Sequence, residues 1–280
     1  MKRNLKGISF LLTIIMVFSL VACKKGISVE EQIREVLQTV SEAKSYEATM
    51  IFSMEAEDEN MSIDLEISSE IVQFYNPIKL RMLSNIEMMG ISMNTEQYLI
   101  SSDTGTNMYM KDPYTGKWTC DEMRNSAVTP NQYDIEANLQ LYLSSADSFE
   151  LVDTIIANGV SANVLEGYVS AENLENYVSQ VLQSTSPQYD AEQNEMMKHF
   201  LSGMEDIQIV LWIEADTNIP IYYSIDMTDL MQGIMNSIIS EAQSGEKYTI
   251  SKMIIEMGIR NMNNAKDFEL PEEILYNDSI

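Results

Sequence analysis

Tyr46-Glu47-Ala48-Thr49-Met50-Ile51-Phe52-Ser53-Met54-Glu55-Ala56 switches between apolar and polar residues at almost every step. Tyr46, Ala48, Met50, Phe52, Met54 and Ala56 hold one set of alternate positions, and Glu47, Thr49, Ser53 and Glu55 hold most of the other. A period of two marks a half-buried β-strand, because successive side chains leave the backbone on opposite faces. The acidic stretch Glu55 to Asn60 then turns the chain. Met61, Ile63, Leu65 and Ile67 follow, alternating with Ser62, Asp64, Glu66 and Ser68. Beyond Asn76-Pro77 the same pattern places Ile78, Leu80, Met82, Ile86 and Met88 opposite Lys79, Arg81, Asn85 and Glu87. Gly90 marks the next turn, before a strand near Ile91 to Ile100. Asp103-Thr104-Gly105 and Asp112-Pro113-Tyr114-Thr115-Gly116 precede short strands at Asn107 to Lys111 and Lys117 to Cys120. The run predicts an antiparallel meander with one apolar face and one wet face.

Upstream, the period is that of a helix. Val29, Ile33, Val36, Leu37, Val40 and Ala43 recur at spacings of three and four, Glu30 and Glu31 occupy the first turn, and Ser28 is placed to cap it. Downstream, Pro130 to Ala146 reads as helical through Ile135, Leu139, Tyr142, Leu143 and Ala146. Strands at Phe149 to Ala157 and Val160 to Val169 flank Asn158-Gly159, a hairpin turn signal. Ser170 precedes a helix carrying Leu174, Tyr177, Val178, Val181 and Leu182, and another helix holds Met196, Met197, Phe200, Leu201 and Met204. Strands return with Ile207, Ile209, Leu211 and Ile213, then with Ile219, Ile221, Tyr223, Ile225 and Met227. A helical stripe (Met231, Ile234, Met235, Ile238, Ile239, Ala242) leads to a last strand at Tyr248 to Arg260 and an extended tail, Phe268-Glu269-Leu270-Pro271. The class is α+β. About eleven strands form an antiparallel sheet, and four or five helices cover its apolar face. No long linker divides the chain, so residues 29–280 are expected to form a single domain.

The N-terminus is of another kind. Lys2, Arg3 and Lys6 precede an uncharged run from Ile8 to Val21, and Leu20-Val21-Ala22-Cys23 closes it. These are the three regions of a bacterial secretory signal, and a Cys directly after the small residue resembles a lipoprotein signal in which Cys23 is lipidated. The competing reading, a transmembrane anchor, is disfavoured by length. Ile8 to Ala22 would give about 22 Å of helix against a hydrocarbon core of about 30 Å. Residues 1–22 are thus read as the signal and 23–28 as a tether. A diacylated Cys23 would hold the protein on the extracytoplasmic face of the cell membrane.

Three of the 17 basic residues and none of the 43 acidic ones lie before Cys23, leaving 14 against 43. Such a chain repels polyanions, which excludes nucleic acid as a natural partner. Only Cys120 remains beside Cys23, so no internal disulfide framework is expected, and His199 is the one histidine. Multi-histidine metal sites are excluded, and no phosphate loop or nucleophile-elbow motif is present. No enzyme activity, metal or cofactor is expected. Glu55, Glu57, Asp58 and Glu59 lack the spacing of a calcium loop and read as a solvated hairpin tip.

A lipoprotein cysteine, a first helix and a long meander with helices against one face look like the LolA/LppX-type lipoprotein fold. Gly116-Lys117-Trp118, Leu211-Trp212-Ile213 before Ile219-Pro220, and Phe268-Glu269-Leu270-Pro271 also resemble uncharacterised surface lipoproteins of Gram-positive bacteria assigned to that group. The resemblance implies a strongly curved, incomplete β-barrel whose mouth is covered by helices and whose apolar interior holds lipid acyl chains. It transfers no functional residue.

Nineteen methionines follow Cys23, many on predicted inward faces. Thioether side chains are flexible and suit adaptable apolar binding surfaces, yet they also serve as ordinary core filler. If the half-barrel is hollow, the expected lining is Met50, Phe52, Met54, Leu65, Met82, Tyr223, Met231 and Met235, with Trp118 and Trp212 at its mouth or simply packed. The expected function is then binding of a hydrophobic or amphiphilic ligand, such as a lipid. The alternative is a non-enzymatic sensory or assembly module that engages another envelope protein.

Overall fold

The structure is a computed structural model and describes residues 27–58, 61–102, 105–123, 139, 143, 146–170, 172–173, 206–242 and 248–275. Helix α1 (Val29–Ser41) leads into β1 (Ser45–Glu57), β2 (Ser62–Tyr75), β3 (Ile78–Met88), β4 (Ile91–Ser102), β5 (Gly105–Lys111) and β6 (Trp118–Met123). A second group follows: β7 (Ala146–Ala157), β8 (Val160–Val169), β9 (Ile207–Glu214), β10 (Pro220–Asp226), helix α2 (Thr228–Ala242), β11 (Thr249–Arg260) and the short α3 (Glu272–Leu275). The order across the sheet is β6-β5-β4-β3-β2-β1-β11-β10-β9-β8-β7, antiparallel throughout. Two meanders thus run outward from the centre, where the first and last strands pair. β6 and β7, neighbours in sequence order, end on opposite edges, so the sheet is a curved half-barrel and does not close.

Turn chemistry pins the register. Met89-Gly90 and Asn158-Gly159 both take positive φ at both central residues, the two-residue turn whose twist matches paired strands. Ser28 Oγ accepts a hydrogen bond from Glu31 N at 3.2 Å and caps α1 as expected. The sequence pattern carries the predicted helix through Ala146, but that residue opens β7, which begins three residues before Phe149. Ala146 pairs with Val169 in the ladder and is half-buried against the main core. Leu139 and Leu143, from the same predicted stripe, are buried in the core. Asn173 N donates to Ser170 Oγ at 3.4 Å at the start of the helix expected there; the rest of that helix and of the earlier segment, the helix expected around Met196 to Met204, His199 and the signal lie outside the described residues.

One face of the sheet, the inner face, carries the main core. Ile33, Val36 and Val40 of α1 pack with Tyr46, Ala48 and Ile71 at the sheet centre and with Leu165, Leu211 and Ile225 toward β7. Gln32 and Glu35 of α1 bond the side chain of Asn218 in the β9–β10 turn, tying the helix to the second meander. At the start of β11, Met253 N donates to Thr228 Oγ1 (2.9 Å) and Met253 O accepts from Met227 N (2.8 Å). Gln232 spans the next turn by accepting from Ile250 N at 2.6 Å and donating to Tyr248 O at 3.1 Å. These bonds seat α2 beside β11.

The outer face is not uniformly wet, contrary to the sequence expectation. Val72 and Tyr98 are buried there with Trp118, Phe268 and Ile274, and Phe74, Ile100 and Leu270 pack against them. The C-terminal segment from Asn261 to Leu275 crosses back over β2–β6 and dries this area. Phe268 is its anchor, with ring centroids 5.7 Å from Tyr98 and 6.3 Å from Phe74.

Candidate functional site

Paired residues of neighbouring strands project to the same face, so register alone lays out the inner surface. Across β11-β1-β2-β3-β4, one row reads Met257, Met50, Ser69, Ser84 and Thr95. The next reads Ile255, Phe52, Ile67, Ile86 and Met93, and the one after it Met253, Met54, Leu65, Met88 and Ile91. The first row is where the closed core ends. Met257 is buried, and further along the row the Ser69 and Ser84 hydroxyls satisfy each other at 2.7 Å. Beyond that hydroxyl pair, the two following rows are wholly apolar and remain accessible. Met88 is 38% and Ile91 61% exposed, and the other members are half-buried. Four inter-strand spacings of about 4.8 Å make this platform about 19 Å wide. Helix α2 starts at its β11 margin, carrying Met231 and Met235, both half-buried, while Leu230 and Ile234 pack on the core.

A contiguous, partly exposed apolar surface of this extent is uncommon on a monomeric protein. Four of its ten side chains are methionines, which adapt their shape to a partner. Phe52, Met54 and Leu65, expected from the sequence to line a ligand cavity, lie on the platform, and Met50 sits on its boundary row. Ile67, Ile86, Met88, Ile91, Met93, Met253 and Ile255 complete it. They belong to the same alternating sets, and only pairing across strands reveals that they share two rows.

The other expected lining residues are placed elsewhere. Met82 and Tyr223 face inward but are 5% and 2% exposed, locked in the closed part of the core. Trp118 and Trp212 belong to the outer face. Trp118 pairs with Lys111, stacks near Tyr98 at 5.7 Å and donates from Nε1 to Glu273 at 3.1 Å. Trp212 pairs with Tyr222 and lies 4.3 Å from its ring. The Tyr222 hydroxyl donates to Glu256 at 2.6 Å, and burial together with that carboxylate pushes its pKa up to about 12. Both tryptophans are therefore packing residues on the side away from the platform.

Among the described residues, no three His, Cys, Asp or Glu side chains converge as metal ligands. Cys120 is half-buried on the outer face of β6 without a disulfide. Asp58 serves the hairpin tip, its Oδ1 accepting from Met61 N at 2.7 Å.

A family model covers residues 28–279. The chain belongs to DUF6612, a family of unknown function. The sequence matches no curated protein. Among solved structures, this DUF6612 chain is similar to the lipoprotein LppX of Mycobacterium tuberculosis, with 13% identity, coverage of 86% of this chain and 97% of that one, and a TM-score of 0.46. LprF from Mycobacterium bovis gives 12% identity, 87% and 96% coverage and a TM-score of 0.44. A putative outer membrane lipoprotein-sorting protein domain from Vibrio parahaemolyticus gives 9%, 86% and 95%, with a TM-score of 0.26. LppX, whose fold type is the one expected from the sequence, is one of these similar structures.

Proposed function

We propose that this protein is a lipid-anchored extracytoplasmic binding protein that holds a hydrophobic or amphiphilic ligand against the inner face of its half-barrel. The carrying observation is the pair of apolar rows crossing β11 to β4, which continue the core pattern where the described core has stopped. An acyl chain burying about 300 Å² of apolar surface there would gain about 7 kcal/mol before the costs of ordering. No covalent step is needed. The signal-like N-terminus ending at Cys23 supplies the address, and lipid on that cysteine would keep the platform close to the membrane.

The test has two parts. Organic extraction of the purified protein, followed by mass spectrometry, should release an apolar molecule in near-stoichiometric amount. Leu65→Glu and Ile86→Glu, placed on half-buried positions, should abolish uptake of a fluorescent fatty acid while the protein stays folded. An empty extract together with unchanged uptake in both variants would refute the reading. Edge strand β7 favours a second reading, engagement of an envelope protein, because Leu151, Val152 and Ile156 are 52%, 51% and 75% exposed there. Recovery of one stoichiometric protein partner without lipid would select it.

A further inference from the structure

The outer face bears a concave feature that the apolar platform does not account for. A groove of about 700 Å³ opens across β1 to β4, and the turn between β5 and β6 forms its far wall. Pockets that hold small organic ligands span about 300–1,000 Å³. Register places Thr49, Glu70, Leu83 and Glu96 in one row of its floor and Ser68, Asn85 and Asn94 in the next. Thr49, Ser68 and Glu70 have no side-chain partner among the described residues, so their hydrogen-bonding capacity faces the groove.

The remaining groups are fixed in place. Asn85 Nδ2 donates to Ser92 Oγ (2.9 Å) and Asn94 Oδ1 (3.2 Å), orienting both amides. Glu96 accepts from the Tyr98 hydroxyl at 2.6 Å and lies 3.8 Å from Lys111 Nζ. The wall is equally set. Asp112 Oδ1 accepts from Tyr114 N, Thr115 N and Thr115 Oγ1 at 3.0, 2.6 and 2.8 Å, contacts that hold its carboxyl below the usual range, the Thr115 amide contributing most. Gly116 closes the turn at φ +69°.

Hydroxyls and amides that both donate and accept, beside the apolar patches of Leu83 and Pro113, match the chemistry of a sugar ring, with its polar rim and C–H faces. The charge balance narrows the class further. Glu70, Glu96 and Asp112 outnumber Lys111, and the chain carries −26 overall, so phosphates and acidic sugars are repelled. A lipid tail would leave the floor's polar groups unpaired. We propose that this groove binds a neutral or amino-bearing saccharide. The site lies on the face opposite the platform and does not depend on what the platform holds.

Titration of the purified protein with chitotetraose, its deacetylated counterpart and tetragalacturonate decides the matter, read by calorimetry and by the side-chain amide signals of Asn85 and Asn94. A neutral or amino oligosaccharide should shift those signals. Asn94→Ala should weaken binding roughly tenfold, and Leu83→Trp, which fills the floor, should abolish it. Asn94 is exposed, so its variant keeps the test valid should Leu83→Trp fail to fold. No shift up to roughly 10 mM ligand, affinity unchanged in Asn94→Ala, or a preference for tetragalacturonate would overturn the proposal.

Discussion

Gly167 shows how tightly one residue can be specified on the inner face. It is buried on β8 opposite Phe149 of β7, and a Cβ added there would meet three ring carbons of Phe149 at 2.6 to 2.9 Å. Real contacts do not come so close, so the ring must leave its place at the end of the core. Overpacking of this kind costs about 1–3 kcal/mol, and Gly167→Ala should lower the unfolding free energy by that amount in urea titration. Combining it with Phe149→Leu should recover much of the loss relative to Phe149→Leu alone, because the two changes share one contact. Additive losses would show that the ring is not the obstacle. Trp212 teaches the opposite lesson about legibility. Ile207, Ile209, Leu211 and Ile213 are buried on alternate positions, so the period of two already turns Trp212 outward, and only its size suggested a pocket. Trp118 offered no such clue. It opens a short strand, and its face follows from its pairing with Lys111.

Among elements, the strands were legible and the C-terminal strap was not. Alternation and turn residues are local, which is why the eleven strands, the Asn158-Gly159 hairpin and the Ser28 cap could be read directly. The strap's partners are far away in sequence. Glu47 accepts from Lys266 N at 3.0 Å and Asn261 Nδ2 at 2.9 Å, and Lys79 pairs with Asp267. The Lys266 amide, followed by Asn261, depresses the Glu47 pKa, and Lys79, followed by the Phe268 amide, depresses that of Asp267. Both carboxylates are thus held more tightly ionised when folded. Their stabilisation is complete above the ordinary values of 4.5 and 3.8 and fades as the pH falls through them toward the lower folded values. Acidification below about pH 4 should therefore loosen the strap before the sheet melts. Trp118 emission, recorded in a Trp212→Phe background, should shift red in that range, and Asp267→Asn should show part of the shift at neutral pH. A Trp118 signal that changes only with global unfolding would contradict this.

The described residues form a two-sided sheet: apolar rows with α1 and α2 on the inner face, and acidic and polar groups on the outer face around one apolar patch under the C-terminal segment. The ten-residue platform was only half legible, because alternation identifies an inward face but not where a core stops covering it. That limit is set by the pairing of β11 with β1, a contact between the two ends of the described chain. Charge then bears on how such a body could sit at a membrane. With 14 basic residues against 43 acidic ones after Ala22, it has no electrostatic attraction to an anionic bilayer. Nor is any described helix long and apolar enough to cross one. The proposed anchor rests on acyl chains at Cys23, each buried CH₂ contributing about 0.8 kcal/mol, and two chains are needed for stable attachment. Cys23→Ser should move the protein from the membrane fraction to the soluble one, with an unchanged melting temperature for the domain. The released protein should not bind anionic vesicles even at low ionic strength, where attraction would be strongest. Continued sedimentation of the variant with membranes, or its recapture by bare vesicles, would mean that the protein surface itself holds the bilayer, and the exposed Met88 and Ile91 end of the platform would be the first place to look for the contact.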